Sequence, residues 1–356
     1  MRLDKAIQLM PKGADGLLIT KECNLKYLTG FACDSGLLLV SRAGSVFFTD
    51  SRYTEAAQKA IDCCCVENSA FLTERLKAYC KKFGVKRLAC ESSHMTVASA
   101  ERYRAMLSGI SLVFGGAADD LINGMRAVKS ADEIKMIKKA QDMAERGFAH
   151  ILGVIVPGMT EKEVKTELDY FILKSGAQRM SFETIAVSGA NSSMPHGKAS
   201  DRVLRKGDLL TLDFGAVCGD YHSDMTRTVA VAGCGGEERE VYEVVLAAQK
   251  AALAALRPGV LCRDVDAAAR SVIDSAGYKG RFGHGTGHGV GLELHEKPIL
   301  NPRSEETLAK GNVVTVEPGI YIPGKFGVRI EDMALLTDDG FENLTYSPKE
   351  LWSVGN

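Results

Sequence analysis

The sequence predicts two domains, an α/β domain followed by an α+β domain with an internal pseudo-twofold duplication. Three observations predict this. The chain has 356 residues, and domains run at roughly 150 residues each. Its first third alternates short apolar runs with helical patterns. The remainder repeats its own landmarks. Pro157-Gly158, Val164 and Gly176 recur as Pro258-Gly259, Val265 and Gly277, an offset of 101, and the run 206–213 recurs as 310–317, an offset of 104.

Residues 37–40 and 45–48 are apolar runs joined by Ser41-Arg42-Ala43-Gly44, a hairpin signature. Helices are expected near 54–61 and 71–83, and a further strand at 85–90. These form an α/β domain over residues 1–125. The second domain, 126–356, opens on Ser130-Ala131-Asp132-Glu133, a capping box. Behind it Ile134, Ile137, Met143 and Phe148 share a helical face. Thr160 and Glu163 form a second capping box, and the alanine-rich stretch 246–256 reads as a packed helix. Trp352 reads as a packing residue.

Composition excludes several classes. Lys+Arg is 44 and Asp+Glu is 45, so no charge excess points to a nucleic-acid or membrane partner. Ten cysteines contain no Cys-x-x-Cys pair, which argues against a zinc ribbon or a thioredoxin-type site. Cys63-Cys64-Cys65 reads as small apolar residues in or near a strand. A reducing, cytoplasmic compartment is expected. Met1-Arg2-Leu3-Asp4-Lys5 is not followed by the apolar core of a signal peptide, and no run of 18 apolar residues occurs.

The chemistry concentrates in the duplicated strands. A hairpin folding between Cys218 and Gly219 would set Asp213 opposite Asp224, and one centred on Gly324 would set Glu317 opposite Glu331. Directly opposed carboxylates destabilise a sheet unless protons or cations intervene. The alternative is four surface-facing acids on exposed strand ends; their equivalent placement in two repeats weighs against it. Nearby lies Gly283-His284-Gly285-Thr286-Gly287-His288-Gly289-Val290-Gly291. Glycine at every second position opposes a helix, and an extended backbone poor in side chains would let a substrate or metal approach closely. Four carboxylates and an imidazole suit two divalent cations. Oxygen ligands favour Mn²⁺ or Mg²⁺, and the imidazole also accommodates Co²⁺ or Zn²⁺. Paired metals clamp the attacking and leaving oxygens of a displacement, so hydrolysis is implied.

These residues resemble the pita-bread metallopeptidases, which include methionine aminopeptidase, Xaa-Pro aminopeptidase and Xaa-Pro dipeptidase (prolidase). The resemblance rests on Leu212-Asp213-Phe214-Gly215, Ser223-Asp224-Met225-Thr226-Arg227-Thr228, Gly287-His288-Gly289-Val290-Gly291, Val316-Glu317-Pro318-Gly319 and Arg329-Ile330-Glu331-Asp332. Tyr27-Leu28-Thr29-Gly30-Phe31 and Phe48-Thr49-Asp50-Ser51-Arg52-Tyr53 resemble the creatinase-type N-terminal domain, which points to the proline-directed members.

The resemblance implies that Asp213 holds one metal, that Asp224 and Glu331 bridge both, and that His288 and Glu317 hold the other. Glu317 also takes the proton of the attacking water. His295 matches the histidine that stabilises the tetrahedral intermediate. His196 matches the one that contacts the substrate or carries the leaving proton. His284 matches a histidine near the substrate, and Arg329 looks like an anchor for a carboxylate ligand at the substrate site. His94 and His150 read as structural or solvated; His222 could line the site but more often would not. The resemblance implies two divalent ions, Mn²⁺ first, short proline-containing peptides as substrates, and a homodimer. It favours an Xaa-Pro aminopeptidase, with a dipeptidase as the close alternative and a noncatalytic binding protein as the remote one. A dipeptidase must bind the proline carboxylate, usually with a basic residue; Lys297 could do so, although a lone lysine there is more often a solvated charge.

Overall fold

The computed structural model describes residues 2–355, and the chain divides into two compact units between Arg126 and Ala127. In the first unit, β1 (Gly16–Ile19), β2 (Leu37–Ser41), β3 (Gly44–Thr49), β4 (Cys65–Asn68), β5 (Arg87–Cys90) and β6 (Ser111–Val113) form one mixed sheet in the order β4-β3-β2-β1-β5-β6. The hairpin β2–β3 turns at Arg42-Ala43 as the sequence predicts. Every residue of β2 is buried, which explains a continuous apolar run rather than an alternating one. Helices Thr54–Ala60 and Leu72–Lys82 follow their predicted spans closely. Glu91, fully buried, accepts the backbone N–H groups of Thr20 and Lys21 and so satisfies the start of helix Glu22–Thr29.

The second unit repeats one plan twice: a pair of helices packed on a sheet. Both predicted capping boxes form, opening helices Ala131–Leu152 and Glu161–Lys174. Their apolar faces, including Phe148, Ile151, Leu168 and Ile172, pack on Leu210, Leu212 and Phe214. In the second copy, Gly236–Ala255 and Cys262–Ile273 pack through Val245, Val265 and Ile273 against Val314, Val316 and Ala334. The first sheet joins β8 (Ile185–Ser188), β9 (Leu209–Phe214), β12 (Met225–Val231) and β20 (Ser353–Val354) in the order β20-β12-β9-β8. A small sheet, β11-β10-β7, is built from β7 (Arg179–Met180), β10 (Ala216–Cys218) and β11 (Tyr221–His222). The second large sheet runs β14-β13-β15-β18-β19, from β13 (Gly287–Gly289), β14 (Glu296–Leu300), β15 (Val313–Val316), β18 (Asp332–Leu336) and β19 (Phe341–Asn343). The hairpin β16 (Gly319–Ile322) and β17 (Phe326–Arg329) completes the unit.

The two hairpin registers differ from one another relative to expectation. Gly319 pairs with Arg329 and Val316 with Asp332, so Glu317 lies opposite Glu331 as predicted. In the first copy Asp213 pairs with Thr226, not with Asp224. The turn is centred one residue later than expected, on Gly219-Asp220, because both have positive φ (57° and 69°). Two left-handed central residues make the two-residue turn whose twist matches a hairpin. A one-residue move of the centre shifts the pairing by two, which keeps both acids on the same face. Trp352 departs from the packing role expected of it: the residue is 46% exposed, while its carbonyl accepts the Ala230 N–H.

Candidate metal centre and active site

Residues from five strands or their ends converge where the two large sheets meet. Asp213 sits in β9, Asp224 just before β12, His288 in the middle of β13, Glu317 just after β15 and Glu331 just before β18. Thr226 ties the sheets together: its carbonyl accepts the Glu331 N–H at 3.1 Å and its hydroxyl donates to Glu331 Oε2 at 2.7 Å. From the other side the Glu317 N–H donates to Thr286 O at 2.8 Å.

One carboxylate oxygen from each of Asp213, Asp224 and Glu331 lies within 4.8 Å of the other two. His288 Nε2 stands 3.6 Å from Asp224 Oδ2 and 3.4 Å from Glu317 Oε1. Its Nδ1 faces Gly289 O at 3.0 Å, and a carbonyl only accepts, so Nδ1 carries the proton. The Nε2 lone pair therefore points at the acids, as a metal ligand requires.

The electrostatics of this cluster are dominated by buried like charges. Burial pushes Asp224 and Glu331 well above the usual carboxylate range, and the neighbouring acids push them further. Glu317 rises to about 8, from burial first, with Arg329 opposing it. His288 falls to about 4 through burial, reinforced by His295. Asp213 Oδ1, Asp224 Oδ1 and Glu331 Oε1 are buried and lack a hydrogen-bond partner. Buried acceptors are almost always satisfied. Three orphans aimed into one cluster therefore fit divalent cations.

The sequence-predicted histidines surround this cluster. His196, His284, His288 and His295 all line one cavity of about 530 Å³ with the acids. The His295 ring lies 4.3 Å from that of His288. His284 is locked within the protein: Nδ1–H donates to Gly285 O and Nε2 accepts the Tyr321 hydroxyl, each at 2.8 Å. Arg329 is buried and donates Nη2 to Asp213 Oδ2 at 2.6 Å, Nη1 to Tyr321 Oη at 2.8 Å and Nε to Thr226 Oγ1 at 3.1 Å. His284 and Arg329 thus line the cavity with their polar atoms committed to protein partners.

Lys297 drops out as a candidate, and the expectation for the glycines changes. Lys297 is absent from the cavity wall and pairs with Glu306 at 3.1 Å. The cavity's exposed cation is Lys198, paired with Glu183 at 3.0 Å. His222 is buried off the cavity, with Nδ1 2.8 Å from Ser181 Oγ. The alternating glycines serve strand packing more than ligand approach. A Cβ on Gly287 would lie 2.0 Å from Thr315 O, and one on Gly289 would lie 2.3 Å from Lys297 O.

Sequence reasoning missed Tyr321, Thr226 and the apolar wall of Phe182, Ile185, Leu294 and Ile299. Tyr321 had a signal. It pairs across the hairpin with Gly327 and follows Gly319 by two, and a Cβ on Gly319 would touch the tyrosine hydroxyl at 2.6 Å. Glycines opposite and beside an aromatic mark a ring folded onto bare backbone.

Comparison with known proteins decides the family. The model for metallopeptidase family M24 matches residues 135–338, and that for the creatinase/prolidase N-terminal domain matches residues 2–128. The chain belongs to metallopeptidase family M24. This M24 chain is 37% identical to the Xaa-Pro dipeptidase of Pyrococcus horikoshii, over 98% of each chain. It superposes on an Xaa-Pro dipeptidase from Bacillus anthracis with a TM-score of 0.94 at 39% identity, covering 99% of this chain and 98% of that one. An X-Pro aminopeptidase from Thermotoga maritima gives a TM-score of 0.90 at 36% identity, covering 99% and 100%. The fold is therefore the creatinase-type N-terminal domain followed by the duplicated pita-bread domain of M24 metallopeptidases. Among the described residues, no helix is long and apolar enough to cross a membrane.

Proposed function

We propose that this protein is an Xaa-Pro dipeptidase that works with two divalent cations, Mn²⁺ first among them. The aminopeptidase favoured by the sequence gives way to this alternative, because the P. horikoshii relative and the B. anthracis structure are both named dipeptidases. The observation that carries the hydrolase reading is the three orphaned carboxylate oxygens of Asp213, Asp224 and Glu331, facing one cavity with His288 and Glu317. A cavity of about 530 Å³ is within the usual range for a small ligand.

Asp213, Asp224, His288, Glu317 and Glu331 would hold the cations. Bound cations of this kind supply Lewis acidity for the scissile carbonyl and make an attacking water more acidic. Glu317, next to His288 and facing the cavity, takes the proton of that water. His295, which burial keeps neutral, donates a hydrogen bond to the carbonyl oxygen as it gains charge. The prolyl nitrogen belongs to a tertiary amide and leaves only when protonated. His196, exposed on the cavity wall, contacts the substrate or delivers that proton. Arg329 holds Asp213 in place through its bond to Oδ2. The apolar wall of Phe182, Ile185, Leu294 and Ile299 suits the prolyl ring or an apolar first residue.

The test is parallel incubation of Mn²⁺-loaded protein with Xaa-Pro dipeptides and Xaa-Pro-Xaa tripeptides, with products identified by mass spectrometry. Cleavage of dipeptides supports the proposal. Release of the first residue from tripeptides alone overturns it in favour of an aminopeptidase. Binding without cleavage of either favours a noncatalytic protein.

A further inference from the structure

Lys129 and Glu296 form an ion pair buried beside the active site. Their side chains are 1% and 4% exposed, with Nζ 3.3 Å from Oε2. The Lys129 backbone N–H donates to Gly311 O at 2.8 Å, which fixes the lysine just before β15. Glu296 directly follows His295 in the chain. Its Oε1 accepts the Glu293 N–H at 3.0 Å. Its carboxylate lies against Gly291, where a Cβ would come within 2.6 Å of Oε2. Gly291 in turn donates to Glu293 O at 3.0 Å and accepts the His222 N–H at 2.8 Å. Residues 291–296 therefore close around the Glu296 carboxylate, with the His295 ring on the cavity wall, 4.3 Å from the His288 ring.

An ion pair removed from water this far is a poor way to gain stability, since apolar residues of similar volume do as well or better. An apolar pair could not accept the Glu293 N–H, however, and so could not close the turn. We propose that Lys129 and Glu296 are positioning residues for His295: Lys129 holds one carboxylate oxygen so that the other sets the 291–296 turn. This rests on the peptidase reading of the site.

The test compares the full-length wild type with K129M, K129R and the paired apolar variant K129M/E296M, using an Xaa-Pro dipeptide. Each is assayed for kcat and KM, for Mn²⁺ stoichiometry by calorimetry and for melting temperature. K129M is expected to lower kcat about tenfold, with KM and Mn²⁺ stoichiometry near the wild-type values. K129R should restore most of the loss. The paired variant should regain the wild-type melting temperature while kcat stays low, and it decides the matter if K129M does not fold. A kcat within about twofold of wild type in K129M, or a kcat that returns with stability in the paired variant, overturns the proposal. Wild-type protein that hydrolyses no Xaa-Pro peptide overturns the peptidase reading and this inference with it. Active wild type with unaffected variants overturns the inference alone.

Discussion

Arg329 donates to Asp213 across the two halves of the duplicated domain, with Nη2 2.6 Å from Oδ2. That bond occupies one oxygen of the carboxylate and leaves Oδ1 without a hydrogen-bond partner. Arg329→Gln removes both the charge and the orientation. Loss of such a partner typically costs about 10–100-fold in metal affinity, and titration calorimetry with Mn²⁺ should show a loss of that order. Tyr321→Phe keeps the Arg329–Asp213 bond and removes only the hydroxyl between Arg329 and His284. It should leave Mn²⁺ affinity within a few-fold of wild type, and an equal loss in both variants would contradict this division.

Glu331→Gln should act in opposite directions on stability and on metal. In the metal-free chain Glu331 is a buried acid pushed well above the carboxylate range by burial and by Asp224 and Glu317. The amide keeps an oxygen to accept the Thr226 hydroxyl and removes the repulsion. Metal-free Glu331→Gln should gain roughly 1–2 kcal/mol over metal-free wild type. Chemical denaturation would measure this, and turnover of the Mn²⁺-loaded variant should fall at least about 100-fold.

The pH dependence follows from the same groups. Folding raises the affinity of Glu317 for a proton, with its pKa near 8, and Asp224 and Glu331 move the same way. Between the ordinary carboxylate value and about 8 the folded metal-free chain binds more protons than the unfolded chain. Its stability is present below that window and is lost as pH rises through it. His284 and His288, pushed down to about 4, act oppositely, but only below the ordinary imidazole value of about 6.5. Thermal melts of chelator-treated protein should therefore fall from about pH 6.5 to about pH 8, whereas Mn²⁺-loaded protein should not follow. Melts of the metal-free chain that rise across this interval would contradict the electrostatic account.

Glu161 sets up the segment that carries His196. Fully buried at the start of helix Glu161–Lys174, it accepts the N–H and hydroxyl of Ser188, the N–H and hydroxyl of Ser200, and the Asn191 amide. Glu161→Gln presents an amide N–H₂ to groups that donate. It should cost roughly 1–3 kcal/mol of stability, and kcat should fall while Mn²⁺ affinity holds. Wild-type kcat in a destabilised variant would detach His196 from this hub.

Gly287→Ala tests why the segment 283–291 is rich in glycine. Its Cβ would meet Thr315 O at 2.0 Å, in backbone that cannot move without parting β13 from β15. A loss of roughly 2 kcal/mol or more is expected from such overpacking, measurable by denaturant midpoint. A stable variant with weakened substrate binding would instead restore the glycines to a role in ligand approach.

By itself the sequence determined the local elements and the chemical inventory. Capping boxes at Ser130 and Thr160, the hairpin at Arg42-Ala43 and the offsets of 101 and 104 depend on neighbours in the chain, and so could be read from it. The acids and histidines stood out because like charges at equivalent strand ends need protons or cations between them. Tertiary structure alone decided which groups serve one another. Pairing Asp213 with Thr226 rather than Asp224 required the φ angles of Gly219 and Asp220. Lys198 rather than Lys297 reached the cavity because Lys297 follows Glu296 on β14, where it turns to Glu306. The contacts of Arg329 with Asp213, Thr226 with Glu331 and Lys129 with Glu296 span 116, 105 and 167 residues. No local periodicity encodes such distances; they exist only once the two repeats have packed face to face.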